Sequence, residues 1–525
     1  MNLRLCLFLL LCLFILASFA TLPRNSLQND DASLYALAVK NAVVHNQWLA
    51  QFVTPGDLSS FLDKPPLGIW LLAWFPKIFG VNELTVHFPN VIYYLILLLI
   101  LFLFLSRFAN RKLALYATLI AATSLCLVVY SRAPKLDVLL TLFVMTAHFS
   151  LYAFLKKNDP VHIIPLTLSL AAGALTKSGF GILFPGLTVL FLLAFNPAAR
   201  KKLLNILFTR YALLYSLFFS IIVGGVLYLQ RFALHDQWLP YLKSITLQSK
   251  YNVAYLGLGF HYSIIGFLLI TIFPWTPLFF SSLKLRLSKL NLNTFCNLWF
   301  WSNLLFLLFF YRQNDLRTFT VLVPPLAILA GIKLISNSWK PRPSVAGFQI
   351  FFLAVFSIIF TALLFNPRNP QGFDLSAAIF PIGLFVISLF VLTIYFWKPT
   401  SGKFATAFAL ICLSYGILFY NTKLIAHAFN PDVTWPSLIK EQREKGAKFY
   451  IYRPPDRQLF YSPDLFWVDF MAGPADKYFW DKKELLKNLA KEKAIVLSDT
   501  ESWKKLGLKQ DKIIAEDNYS RLVSN

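Results

Sequence analysis

The sequence predicts a polytopic α-helical membrane protein with about thirteen transmembrane helices and a small soluble α/β domain at the C-terminal end. Three observations lead there. Of 525 residues, 57% are hydrophobic and 17% aromatic, with 53 phenylalanines, and the mean hydropathy is +0.60. Charged residues make up 14% of the chain, where a soluble domain carries about 25%. Apolar runs long enough to cross a bilayer recur up to residue 421, and beyond residue 430 they give way to short alternating segments.

Taking runs of about 17 to 25 apolar residues as spans, thirteen follow in order. They lie near 5–22, 87–106, 113–131, 136–155, 161–176, 179–196, 211–229, 262–282, 294–311, 318–335, 345–366, 376–397 and 404–421. The first reads as a retained anchor. A cleaved signal peptide fits the same residues, with Arg4 before an apolar run ending Ala17-Ser18-Phe19-Ala20. Retention gives the more consistent charge pattern.

That pattern sets the topology. The net charge of +24 is uneven: residues 431–525 hold 17 basic and 15 acidic side chains, and the preceding 430 hold 32 and 10. With the N-terminus inside, the cytoplasmic segments collect 18 bases (among them Arg107, Arg111, Lys156, Lys157, Arg200, Lys201 and Lys202) against one acid, Asp159. This is the positive-inside bias of a multi-pass membrane protein, so a nucleic-acid partner is not expected. Thirteen spans place the C-terminal region on the periplasmic or exterior side. The five cysteines (Cys6, Cys12, Cys126, Cys296, Cys412) lie in apolar stretches without metal or disulfide spacing and read as lipid-facing or core thiols.

The expected division is a membrane domain over 1–429 and an exterior α/β domain over 430–525. Within the first, residues 23–86 form a long outer loop with interfacial helices, including an amphipathic run Ala32–His45 opening on an Asn-Asp-Asp cap. In the tail, β-like runs at Phe449–Tyr452 and Ala494–Leu497 alternate with helical ones at Ser437–Lys445 and Lys482–Lys491. Pro367-Arg368-Asn369-Pro370-Gln371-Gly372 reads as an outer turn.

The charged residues that lipid would penalise gather at one membrane face. The outer loop carries Asn29-Asp30-Asp31, then Tyr35, then Asp63-Lys64-Pro65-Pro66-Leu67-Gly68-Ile69-Trp70. Arg132 and Asp137 lie between the third and fourth spans, Lys177 between the fifth and sixth, and Arg317 between the ninth and tenth. Taken singly, the acids cap helices, the Lys-Pro-Pro is a rigid turn and the cations snorkel to the interface. Taken together they line one outward pocket of carboxylates and cations. Such a pocket suits transfer of a group from a lipid phosphate: Lys and Arg hold the phosphate and stabilise its growing charge, while a carboxylate takes the proton of an incoming hydroxyl. The sequence has no Walker-type loop or dinucleotide fingerprint, so no nucleotide cofactor is expected.

The order of these motifs resembles the GT-C class of polyprenyl-phosphate-dependent membrane glycosyltransferases, the group that includes the lipid A aminoarabinose transferase and the protein O-mannosyltransferases. The resemblance covers residues 20–335. It rests on Asp30-Asp31 with Tyr35, Asp63-Lys64-Pro65-Pro66-Leu67 with Trp70, and Asp137 after Arg132. Leu175-Thr176-Lys177-Ser178-Gly179 and the stretch from Arg317-Thr318-Phe319 to Pro324-Pro325-Leu326-Ala327 complete it.

The resemblance implies a GT-C-like fold and a sugar moved from a polyprenyl-phosphate donor to a lipid A, glycan or protein acceptor outside the cytosol. It implies Asp30 as the leading catalytic carboxylate, flanked by Asp31, and Asp137 as the second. Lys64 and Lys177 would bind the donor phosphate, with Arg317, Arg132 and Tyr35 as further substrate contacts. Asp63 falls where some relatives place a metal-binding acid, so a divalent ion is left open. Three departures stand out: Asp31 replaces the usual Glu, Ser178 interrupts the usual Lys-Gly pair, and His261 lacks the Glu-His context before the eighth span. A transporter or lipid-linked sugar flippase is the alternative, and predicts ionisable residues at the bilayer centre and broken helices in paired halves. A polysaccharide polymerase or ligase is a second, and would carry its large outer loop late in the chain.

Overall fold

The computed structural model describes residues 12, 30–52, 62–207, 209–246, 263–276, 278, 290–311, 316–335, 387, 411, 435–452, 475–479, 481–499, 513–516 and 520–524. Apart from Cys12, Ile387 and Ile411, the spans expected near 5–22, 345–366, 376–397 and 404–421 lie outside these residues, as do the turn at Pro367–Gly372, His261 and the side chain of Asp30.

The helices begin where the sequence supplies caps. Helix α1 is Asp30–Val44, α2 Pro66–Phe79 with Pro65 and Pro66 at its N-terminus and Pro76 inside it, and α3 Glu83–Phe108. A reciprocal capping box between Asn82 and Thr85 starts α3. Helix α4 (Arg111–Ala122) is capped by Asn110, and after a 63° bend α5 (Leu125–Ser131) continues the same span. The Thr123 and Ser124 hydroxyls donate to the carbonyls of Leu119 (2.8 Å) and Ile120 (2.7 Å) at the bend. Helix α6 (Asp137–Lys157) and its antiparallel neighbour α7 (Ile163–Lys177) follow. Next come α8 (Phe180–Phe195), α9 (Pro197–Leu207), α10 (Arg210–Leu234), α11 (Trp238–Thr246) and α12 (Ser263–Thr271). Helix α13 is Leu292–Phe310, and a 3-10 turn at Leu316–Leu322 leads into α14 (Val323–Ile335).

Among the described residues, five helical segments are long and apolar enough to cross a membrane, or seven if each bent pair is one span. At 21 residues α6 is about 30 Å long, one hydrocarbon thickness. Its two ends therefore lie at opposite faces, with Asp137 at one and Lys156 and Lys157 at the other. Helix α9 turns by 119° from α8 at the lysine end. There Arg200 donates to the carbonyls of Leu193 and Ala194 (2.5 and 2.9 Å) and Lys202 to that of Leu155 (2.7 Å), bringing cations to the free carbonyls of two helix C-termini.

The core is aromatic, with Trp275, Trp299, Phe184, Phe295, Phe300 and Phe319 fully buried. Cys126 and Cys296 are buried free thiols. Helix α1 differs from an interfacial helix with one wet face: Ala32, Ala36, Ala38, Val39 and Ala42 are buried, and so are Ser33 and Asn41. The small alanines admit close neighbours, and Asn41 donates to the Phe52 carbonyl at 2.8 Å.

The tail folds as a five-stranded sheet ordered β2-β1-β3-β5-β4. The strands are β1 Lys448–Tyr452, β2 Lys477–Phe479, β3 Ala494–Asp499, β4 Ile513–Glu516 and β5 Ser520–Ser524. Strand β1 is parallel to β2 and β3, and β5 is antiparallel to β3 and β4. Side-chain alternation builds two apolar faces: Phe449, Ile451, Ile495 and Leu497 pack with Ile439 of α15 (Trp435–Glu444), and Tyr450, Tyr452 and Val496 with Leu485 of α16 (Lys482–Leu489).

Candidate active site

Three chain segments are drawn to one point by close packing around Gly68. A Cβ built there would lie 2.7 Å from Leu136 Cδ2 and 3.3 Å from Thr176 Cγ2. The start of α2 thus packs on the residues immediately before Asp137 and Lys177, and Lys64 lies one turn ahead of it. Helices α7 and α8 meet as closely, since a Cβ at Gly181 would come within 2.1 Å of the Gly173 backbone. The connection, Lys177-Ser178-Gly179, is tight, and Ser178 adopts φ 57°, ψ −142°. This is a region that favours glycine.

Lys177 Nζ lies 2.5 Å from Asp137 Oδ1, with side-chain exposures of 12% and 2%. Lys64 and the Tyr311 hydroxyl both lie within electrostatic reach of the Lys177 ammonium. Lys64 in turn pairs with Asp63 at 2.8 Å. The Tyr241 hydroxyl of α11 donates to Gln230 Oε1 (3.0 Å) and lies 3.3 Å from the Lys64 carbonyl. Gln230 donates to the Leu49 carbonyl at 2.8 Å, so α10 and α11 hold the outer segment from behind.

The second pair is Arg317 with Asp31, which joins the 3-10 turn to α1. Thr320 donates to the Arg317 carbonyl at 2.8 Å, and its hydroxyl lies 3.5 Å from the Asp137 carbonyl. The two ion pairs are therefore neighbours across the start of α6. Tyr35, one helical turn beyond Asp31, is buried in the core. Arg132 is buried, and burial lowers its guanidinium to about 10, still charged at neutral pH.

Of the residues singled out in the sequence, Asp31, Lys64, Asp63, Asp137, Lys177 and Arg317 meet at one end of the bundle, and Arg132 lies in the loop that enters it. The sequence reading rests on charges and does not single out Tyr311, Tyr241, Thr320 or Asn90, whose neutral side chains resemble those found in any helix end. Asp63 is engaged by Lys64, and among the described residues no group of three or more His, Cys, Asp or Glu could hold a metal ion. A hard divalent cation takes several oxygen ligands. Among the described residues, Asp63 alone does not supply them.

This fold, with its apolar helices and charged mouth, defines a multi-pass helical membrane protein. The chain has the fold of ArnT from Cupriavidus metallidurans, in a crystal structure bound to undecaprenyl phosphate: TM-score 0.77, 15% identity, 98% of this chain and 97% of that one. Residues 63–228 match the family described as dolichyl-phosphate-mannose-protein mannosyltransferase. An uncharacterised protein of Aquifex aeolicus (strain VF5) is 26% identical over 396 residues, 75% of each chain. The putative mannosyltransferase YkcB of Bacillus subtilis (strain 168) is 24% identical over 203 residues, 38% of this chain and 28% of that protein. The resemblance read from the sequence is borne out: a segment of the chain matches the family and the fold is shared with ArnT.

Proposed function

We propose that the protein transfers a sugar from a polyprenyl-phosphate carrier to a lipid, glycan or protein hydroxyl at the periplasmic face of a bacterial inner membrane. The observation that carries this is the Lys177–Asp137 contact with Lys64 and Tyr311 in reach, at the end of α6 away from the lysine-rich face. In the reaction, the acceptor oxygen bonds to the anomeric carbon as the carbon–oxygen bond to the carrier phosphate breaks. The phosphate leaves with the electron pair, and the acceptor proton passes to a carboxylate. Lys64 and Lys177 offset the charge gathering on the phosphate, with Tyr311 as a hydrogen-bond donor. Asp30 is the general base in this reading, and Asp137 holds Lys177 in place. Arg317 is kept in position by Asp31, and Arg132 is a further substrate contact.

The carrier's tail stays in lipid, so the acceptor reaches the sugar from the aqueous side. The family match and the putative mannosyltransferases among the relatives make mannose the first sugar to test. Asp30→Asn and Asp137→Asn are expected to abolish transfer in vesicles supplied with polyprenyl-phosphate sugars, with the protein still inserted and folded. Full activity in both variants rejects the assignment. Loss of transfer with unchanged movement of the carrier lipid disfavours a flippase. Mass spectrometry of envelope lipids and glycans, with and without the protein, identifies sugar and acceptor.

A further inference from the structure

Asn90 of α3 is fully buried, and its carboxamide donates to the carbonyls of Ala133 and Lys135, the latter at 2.7 Å. Those carbonyls flank Pro134, which has no N–H to offer the loop. The loop's backbone bonds among the described residues include Arg132 N–H to the Val129 carbonyl (3.3 Å) and Lys135 N–H to that of Ala133 (2.7 Å). A side chain more than forty residues away thus ties down the segment that carries Arg132 and opens into α6 at Asp137.

The tie has a cost. Among the described residues, Asn90 Oδ1 is buried without a hydrogen-bond partner, and so is Nε2 of His87, one turn earlier on α3. His87 Nδ1 is 2.5 Å from the Glu83 carbonyl, which can only accept, so Nε2 carries the bare lone pair. His87 also lies within electrostatic reach of Arg132. A leucine of similar size would fill the space at position 90 and carry no unpaired oxygen of its own, but it would strip the Lys135 carbonyl of its donor. An asparagine there has a purpose beyond packing.

We infer that Asn90 is a positioning residue for the transfer reaction, setting the place of Arg132 through the loop without touching substrate. This rests on the proposed glycosyltransferase function. Asn90→Gln keeps both N–H donors on an arm one methylene longer, so it satisfies the carbonyls but displaces the loop. Asn90→Leu removes the donors. The full-length protein is tested in vesicles with a panel of polyprenyl-phosphate hexoses and pentoses, with envelope lipids and glycans from cells lacking the protein as acceptors.

Asn90→Gln is expected to lower the thermal midpoint only as far as one added buried methylene does and to keep the donor KM while kcat falls about tenfold, and Asn90→Leu to lose on the order of a hundredfold. The Asn90→Gln loss disappears in an Arg132→Gln background and persists in a Lys64→Gln background. Should Asn90→Leu fail to fold, Asn90→Gln carries the test. Wild-type kcat in Asn90→Gln, or a loss additive with Arg132→Gln, overturns the inference alone. Absence of transfer by the wild-type protein overturns the glycosyltransferase reading as well.

Discussion

The Asp137–Lys177 pair separates a structural ion pair from a working one. Both side chains are almost withdrawn from water, at 2% and 12% exposure, and their charged atoms are 2.5 Å apart. Removing one partner leaves the other charge buried and uncompensated, so Asp137→Leu alone and Lys177→Met alone should each cost about 3–5 kcal/mol of stability. Replacing both by apolar residues removes the desolvation penalty together with the attraction. The double variant should recover to within about 1 kcal/mol of wild type, or exceed it.

Activity should behave differently. If Lys177 stabilises the leaving phosphate, the double variant has regained its fold but not its cation, and kcat stays down by about 10²–10³, the usual loss for one preorganised donor. Thermal unfolding in detergent reads the first quantity and sugar transfer in vesicles the second. A double variant that recovers both stability and wild-type transfer refutes a catalytic role for the pair. One that recovers stability alone is the expected result.

Three further outcomes follow from the same packing. Gly181→Ala forces a Cβ against the Gly173 backbone, which cannot yield as a side-chain tip can, and should lower stability by about 1–3 kcal/mol in thermal unfolding. Ser178→Gly should do the opposite. It relieves a backbone conformation costing about 1–3 kcal/mol, against the roughly 0.5–1 kcal/mol that glycine's extra freedom takes back, and the thermal midpoint should rise. Single cysteines introduced within 23–86 or after 430 should react with an impermeant maleimide added outside intact cells, and labelling from the cytoplasm alone refutes the proposed orientation.

The helices that the sequence reveals best are those whose lipid-length apolar runs end in polar caps. The span expected at 136–155 is Asp137–Lys157, and that at 294–311 is Leu292–Phe310. Periodicity fails where tertiary contacts decide. The run 113–131 reads as one span, but Thr123 and Ser124 satisfy the carbonyls of a 63° bend locally, and hydropathy carries no trace of it. Helix α1 looks amphipathic because it mixes Ser33, Lys40 and Asn41 with alanines, yet burial of Asn41 follows from a partner carbonyl at Phe52, eleven residues away. The site was legible through its charges, since lipid makes each one expensive and therefore conspicuous. Its neutral parts were not: a buried Asn in α3 and a Tyr at the end of α13 acquire meaning only when the loops they hold are brought beside them.

The departure at Ser178 ties sequence to geometry. The family resemblance leads one to expect glycine after Lys177, and the backbone there takes a conformation that glycine adopts freely and serine under strain. The strain persists because the Gly173–Gly181 contact fixes the helices on either side, leaving the turn no room to relax. The same contact holds Lys177 against Asp137. The polar groups inside the bundle are spent differently. His148, eleven residues into α6 from Asp137, uses Nδ1 on the Val144 carbonyl (2.7 Å) and Nε2 on Thr188 (2.9 Å), and stacks on Trp299 at 4.0 Å. A side chain so fully engaged joins α6 to α8 and α13 and offers no step for a solute crossing between them. The charges of the described bundle that remain for chemistry are at its end, where a lipid-anchored phosphate can arrive from the side and a hydroxyl from the water.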